Sequence, residues 1–283
     1  MPMFQSQGAR LHVEETGSGY PIIFVHEFGS DLREWEPQIR YFAREYRCIT
    51  YNARGYPPSD VPESPDLYGW EFSADDVIAV MDGLSLARAH IVGLSMGGYA
   101  VLQCGLRHPE RVSAIIAAGA GTGSHPIDRA AWLKEAPQTA RRFTEQGMAA
   151  MAAEMANSPT RIQLKYKDPR GWQDFHDHLR DHSEVGMSNT MSRYQSLRPS
   201  LHDFQNEFRK MAIPTLLAVG DEDAPCIETN VMLKSVIPQA GLWVCPNTGH
   251  AINLEEPAAF NQHVGQFLSQ VERGVWRRSY ASD

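Results

Sequence analysis

A serine hydroxyl attacks a carbonyl only when a base takes its proton, so the informative serines are those a turn could expose beside a histidine. Gly93-Leu94-Ser95-Met96-Gly97-Gly98 matches G-x-S-x-G, follows the apolar run Ala89–Val92 and precedes a stretch with helical spacing. On a sharp strand-to-helix turn the Ser95 hydroxyl would project above a sheet, with glycines two places before and after admitting neighbouring backbone. The helix N-terminus at that point also favours developing negative charge. The pentapeptide alone is common by chance, and its strand–turn–helix context is what gives it weight.

The matching base is His250, in Pro246-Asn247-Thr248-Gly249-His250. That loop follows the last apolar run, which puts the histidine at the sheet edge where ligands bind in open α/β folds. A carboxylate must hold the other ring nitrogen and set the tautomer. Gly220-Asp221-Glu222-Asp223-Ala224-Pro225 offers three acids; Asp223 is the choice, and Asp221 the alternative as a loop-shaping hydrogen bonder. The stretch Ala118 to Thr122 offers no acid. Oxyanion stabilisation needs two donors. One is the Met96 backbone N–H, and the turn His26-Glu27-Phe28-Gly29-Ser30 supplies the other through the Phe28 N–H.

The elements that must position these groups follow from hydrophobic patterning. Ile22–Val25, Arg47–Tyr51, Ala89–Val92, Ser113–Ala118, Pro214–Val219 and Gly241–Cys245 read as buried strands separated by helices, hence βαβ units and a largely parallel sheet. Phe4–Gln7 and Arg10–Glu14 read as an antiparallel hairpin around Gly8. Ser73 with Asp76 reads as the cap of a helix over Val77–Leu84, Met96 to Leu106 as a second helix, and Pro257 to Val271 as a closing amphipathic one. From Gly121 to Met211 no good strand occurs, and Met, Ala, Arg, Glu and Gln are plentiful. The expected division is therefore a core of residues 1–123 and 211–283 with an all-helical cap inserted at 124–210.

Composition narrows the class of function. The chain has 283 residues, 42% hydrophobic and 21% charged, and a net charge of −8. It is globular, and the acidic balance argues against a nucleic-acid partner. No secretory signal is visible at Met1 to Arg10, and no apolar run approaches the ~20 residues of a membrane span. Cys48, Cys104, Cys226 and Cys245 lack CxxC spacing and read as reduced thiols in a cytoplasmic protein. The expected partner is a small-molecule substrate, with no nucleic acid and no membrane; a homodimer is left open.

Taken in order, the His-x-Phe turn from His26 to Gly29, Asn52-Ala53-Arg54-Gly55-Tyr56 with Ser59, the elbow at Ser95, the Gly-x-x-Asp loop, and Gly249-His250 with Glu256-Pro257 resemble the α/β-hydrolase fold superfamily in its capped, single-domain form. The resemblance covers essentially the whole chain. It implies a mostly parallel eight-stranded sheet flanked by helices, Ser95 as nucleophile, His250 as base then acid, Asp223 as orienter, and a helical cap over the site. The order Ser95, Asp223, His250 is the order of that fold. The elbow is similar to that of 3-oxoadipate enol-lactone hydrolases. Leu94 stands where carbon–carbon bond hydrolases of aromatic breakdown usually have Asn, and Ser95 where haloalkane dehalogenases and epoxide hydrolases have Asp. The resemblance thus implies a serine hydrolase acting on a carboxylic ester or lactone, with no cofactor and no metal. Carbon–carbon or amide hydrolysis, a lyase, cofactor-free peroxide chemistry or a non-catalytic receptor remain rivals on the same scaffold.

Two departures stand out. Glu27 occupies a position usually held by Gly, and a carboxylate aimed at an oxyanion site would oppose catalysis. It either points outward or pairs with a cation such as Arg54, or it borders the pocket and touches substrate or water. Asn52 replaces a commoner Asp. In the cap, Trp132, Trp172 and Met187, with Glu27, are the substrate-binding candidates for an apolar or aromatic acyl group. Met148, Met151 and Met155 recur at helical spacing and read as a core stripe. Arg141, Arg142, Arg161 and Arg193 could meet a substrate carboxylate. His178 and His182 have metal-compatible spacing, although a solvated, mixed-charge face with His176, Asp174, Asp177 and Asp181 explains them equally well.

Overall fold

A run such as Ile22–Val25 has no polar face, so it is stable as a strand only when both sides are covered. In the computed structural model, which describes residues 2–276, the runs of this kind assemble into one eight-stranded sheet. Its order is β1 (Met3–Ser6), β2 (Ala9–Thr16), β4 (Tyr46–Tyr51), β3 (Tyr20–Val25), β5 (Ala89–Leu94), β6 (Val112–Ala118), β7 (Thr215–Gly220) and β8 (Ala240–Cys245). β1 and β2 pair antiparallel, as does β2 with β4, and every other pairing is parallel. Arg277 and Arg278, in the surface extension expected after Val271, lie outside the described residues.

Alternation along the strands sorts side chains onto two faces. Ile23, Val25, Ile91, Ile115 and Leu217 pack against the face covered by α2 (Trp70–Gly83) and α3 (Met96–Arg107). Ile22, Phe24, Val92, Leu94 and Ile116 pack on the other, with α1 (Glu36–Phe42) and, after β8, the C-terminal helix Pro257–Glu272. Phe24 is wholly buried, which contributes about 1.5–3 kcal/mol. Substitution of Phe24 by Ala would cost that burial and leave a cavity beside Trp35 and Phe42.

The N-terminus of α2 lies earlier than the Ser73 signal suggested. The helix begins at Trp70, so Ser73 is in its first turn, with its hydroxyl donating to the Trp70 carbonyl. Asp76 does not cap either. It is buried against Arg54, whose Nε and Nη2 donate to both carboxylate oxygens at 2.9 and 2.6 Å. A tertiary ion pair has won over a local capping preference.

Between β6 and β7 the described chain is helical and irregular: α4 (Arg129–Ala156), α5 (Ile162–Lys167), α6 (Pro169–Arg180), α7 (Glu184–Asn189), a π-helical turn (Thr190–Gln195) and α8 (Gln205–Phe208). Gly147 breaks α4 with φ 79° and ψ 163°, a conformation open to glycine, and turns Met148 and Met151 inward. The remaining helices are α9 (Ala224–Val236), α10 (Ile252–Glu255) and α11 (Pro257–Glu272). No helix among the described residues is long and apolar enough to cross a membrane.

Candidate active site

Ser95 links β5 to α3 with φ 53° and ψ −106°, a conformation L residues seldom adopt. The surrounding glycines explain how the chain tolerates it. A Cβ on Gly97 would collide with the Val25 carbonyl, and one on Gly93 with the Gly97 carbonyl. Both positions must therefore lack side chains for the turn to sit this close to β3. The Ser95 N–H donates to the Ala118 carbonyl at the end of β6, at 2.8 Å.

His250 lies in the loop after β8 and is held by several groups. Its backbone N–H donates to the Thr160 carbonyl at 2.7 Å, while the N–H groups of Gly249 and Ala251 donate to the two Glu255 oxygens at 2.7 and 3.1 Å. Asp221 accepts the Thr248 N–H at 3.1 Å, a loop-shaping contact. His250 Nδ1 donates to Asp223 Oδ2 at 2.8 Å, with both side chains buried. Burial pushes the imidazole pKa down, but the Asp223 charge and hydrogen bond outweigh it; Glu27 adds to the rise and Arg161 opposes it, leaving the pKa above its ordinary 6.5. The ring also packs on Gly119, where an added Cβ would lie 3.4 Å from it. Ser95 and His250 thus flank the same Ala118–Gly119 link. Among the described residues, Ser95 Oγ makes no hydrogen bond to His250 Nε2.

The neighbour of Nε2 is Glu27, whose Oε2 lies 3.6 Å away. Glu27 is fully buried and forms an ion pair with Arg161 from the segment leading into α5. Neither the outward orientation nor the Arg54 partner holds, because Arg54 is committed to Asp76. Arg161 was one of four candidate arginines, and nothing local singles it out. Arg142 and Arg193 instead pair with Glu154 and Asp66 at the surface.

The turn His26–Ser30 after β3 is braced from below. The Ala53 N–H donates to His26 Nε2 at 3.0 Å, so His26 carries its proton on Nδ1 and donates it to the Glu27 carbonyl at 2.8 Å. Burial lowers the His26 pKa and keeps the ring neutral. The Glu27 N–H donates to Glu34 Oε1 at 3.0 Å. Burial, reinforced by the Glu27 charge, raises the Glu34 pKa well above its ordinary value. Among the described residues the N–H groups of Phe28 and Met96 have no hydrogen-bond partner.

The remaining candidates fall in different places. Met187 is fully buried near the turn, and a Cβ on Gly29 would lie 2.6 Å from Met155 Cε and 3.7 Å from Met187 Cε. Trp132 packs on Gly123 and donates to the Gln195 carbonyl. Trp172 belongs to a small core within the helical insertion, donating to Ala156 and stacking on His176. His182 is buried, with Nε2 4.0 Å from Asp31, its pKa pushed down to about 4 chiefly by burial. Among the described residues, the close set of metal-type donors is Asp223, Cys226 and His250. Burial pushes the Cys226 thiol well up, and it donates to the Gly119 carbonyl at 3.2 Å, so it is a poor ligand.

The profile of the alpha/beta hydrolase fold family matches residues 20–257. The chain belongs to that family. It is a hydrolase of the alpha/beta fold, similar to 3-oxoadipate enol-lactonase 1 of Acinetobacter baylyi, 25% identical over 94% of this chain and 96% of the relative. It is also similar to 2-hydroxymuconate semialdehyde hydrolase of a Pseudomonas species, 25% identical over 94% and 92% of the two chains. Among solved structures, an esterase from Exiguobacterium antarcticum superposes with a TM-score of 0.80 at 26% identity, covering 95% of this chain and 98% of that one.

Proposed function

We propose that this alpha/beta hydrolase is a serine hydrolase of small carboxylic esters or lactones that works through an acyl-enzyme. The observation that carries the reading is the buried 2.8 Å hydrogen bond from His250 Nδ1 to Asp223, because it leaves Nε2 as the basic nitrogen at the end of the sheet that bears Ser95. A turn of the Ser95 hydroxyl onto Nε2 would transfer its proton as Oγ attacks the carbonyl. The oxyanion would rest on the Phe28 and Met96 N–H groups. His250 would then protonate the leaving alcohol, and a water activated by the same nitrogen would release the acid.

The enol-lactonase and esterase similarities support an ester or lactone carbonyl. Residues 124–210 act as the lid in this reading, with Met187 and Met155 as apolar surface over the oxyanion turn. The four unpaired cysteines support a reducing, cytoplasmic setting.

A fluorophosphonate probe followed by peptide mass spectrometry tests the proposal. The expected result is one modified site, Ser95, with labelling and p-nitrophenyl ester turnover both abolished in Ser95→Ala. Turnover that persists in a folded Ser95→Ala protein would overturn it.

A further inference from the structure

We propose that Glu27 orients the water that releases the acyl group from Ser95, and so makes water rather than an alcohol the preferred acceptor. The inference rests on the Ser95 acyl-enzyme reading. Glu27 Oε2 and His250 Nε2 are 3.6 Å apart, too far for a direct hydrogen bond of good length. The spacing does let a single oxygen atom sit about 2.8 Å from each of them. A water has two protons for this arrangement and an alcohol has one.

The side chain is held for such a task. It is wholly buried, its backbone N–H is tied to Glu34, and Arg161 binds Oε2. Glu27 Oε1 and Arg161 Nε both remain without a protein partner. Buried polar atoms are usually satisfied, so the open Oε1 and Nε leave this pair capacity to hold a water beside Oε2. Arg161 also offsets the charge that would otherwise oppose an oxyanion at the neighbouring Phe28 N–H.

In the step itself, the water oxygen bonds to the acyl carbon as one of its protons passes to His250 Nε2. The other proton stays on that oxygen, donated to Glu27 as a hydrogen bond. The bond from Ser95 Oγ to the acyl carbon then breaks as His250 returns its proton to Oγ, leaving the free acid and the free serine. Glu27 ends the cycle as it began.

The test is acyl partitioning. Wild type and Glu27→Gln would be given p-nitrophenyl butyrate in buffer containing methanol, with butyric acid and methyl butyrate quantified. Losing a hydrogen bond to a charged group should slow release to water by about 10- to 100-fold. Methanol, whose one proton goes to His250, should react at nearly the wild-type rate. The ester-to-acid ratio should therefore rise by about the same factor. Glu27→Leu, of similar volume, should shift the ratio in the same direction if the amide variant does not fold. An unchanged ratio overturns the inference, whether or not both rates fall together. Absence of butyrylated Ser95 in quenched wild type would instead overturn the acyl-enzyme reading.

Discussion

Arg54–Asp76, buried on both sides, and Arg161–Glu27, with a buried acid and a partly exposed arginine, are built differently. Arg54 and Asp76 are nearly saturated: Nε and Nη2 meet both carboxylate oxygens, Nη1 donates to the Leu67 carbonyl at 2.7 Å, and the Ser6 hydroxyl adds a further bond to Asp76. The guanidinium also lies 4.4 Å from the Phe72 ring centre. Arg161 and Glu27 are joined by one contact and leave an atom unpartnered on each side chain. The first pair staples the β1 end of the molecule to α2. The second bridges the helical insertion to the turn after β3 and keeps hydrogen-bonding capacity in hand. Burial of an ion pair does not by itself separate structure from function; the degree of satisfaction does.

The sharpest way to break this comparison is stability. Asp76→Ala would strand the Arg54 charge in the core and should cost about 3–5 kcal/mol in urea denaturation. Glu27→Gln should cost markedly less, because Arg161 keeps a partly exposed side chain that water can reach. Equal losses would erase the distinction.

A pH profile sharpens it further. In the proposed mechanism His250 must be neutral to accept the Ser95 proton, and its pKa is raised, so kcat/KM should fall as pH drops through a midpoint above 6.5. Glu27→Gln removes a charge that raises that pKa, so the midpoint should move down. Arg161→Gln removes one that lowers it, so the midpoint should move up. Shifts in the same direction would show that the pair does not act on the imidazole. The smallest effect is expected at Trp172→Phe, which loses the hydrogen bond to Ala156 but sits in the helical insertion's own core: ester turnover within about twofold and stability lower by about 1 kcal/mol. A large change in KM there would return Trp172 to the substrate pocket.

Much of the candidate site is legible in the chain because its signals are local. The elbow needs glycines at fixed offsets from Ser95, since backbone from β3 and α3 occupies the space a Cβ would take. Asp223 and His250 follow β7 and β8 directly, and a strand's end determines which rim of the sheet its loop reaches. Even the choice between Asp221 and Asp223 could be argued from loop position, and the two make the contacts expected of a loop brace and a histidine partner. The start of α2 was less legible, because Ser73 and Asp76 carry a capping pattern while Asp76 has a stronger partner in the fold.

By itself, then, the sequence determined the strands, the strained turn and the loops that carry serine, aspartate and histidine, all of which depend on neighbours a few residues away. Only the tertiary structure decided that Glu27 turns inward, that Arg161 meets it from 134 residues along the chain, and that Arg54 goes to Asp76 instead. Long charged side chains have no periodic signature. Their partners are selected by which opposite charge shares the same desolvated volume, and that volume exists only after the helical insertion has packed against the sheet.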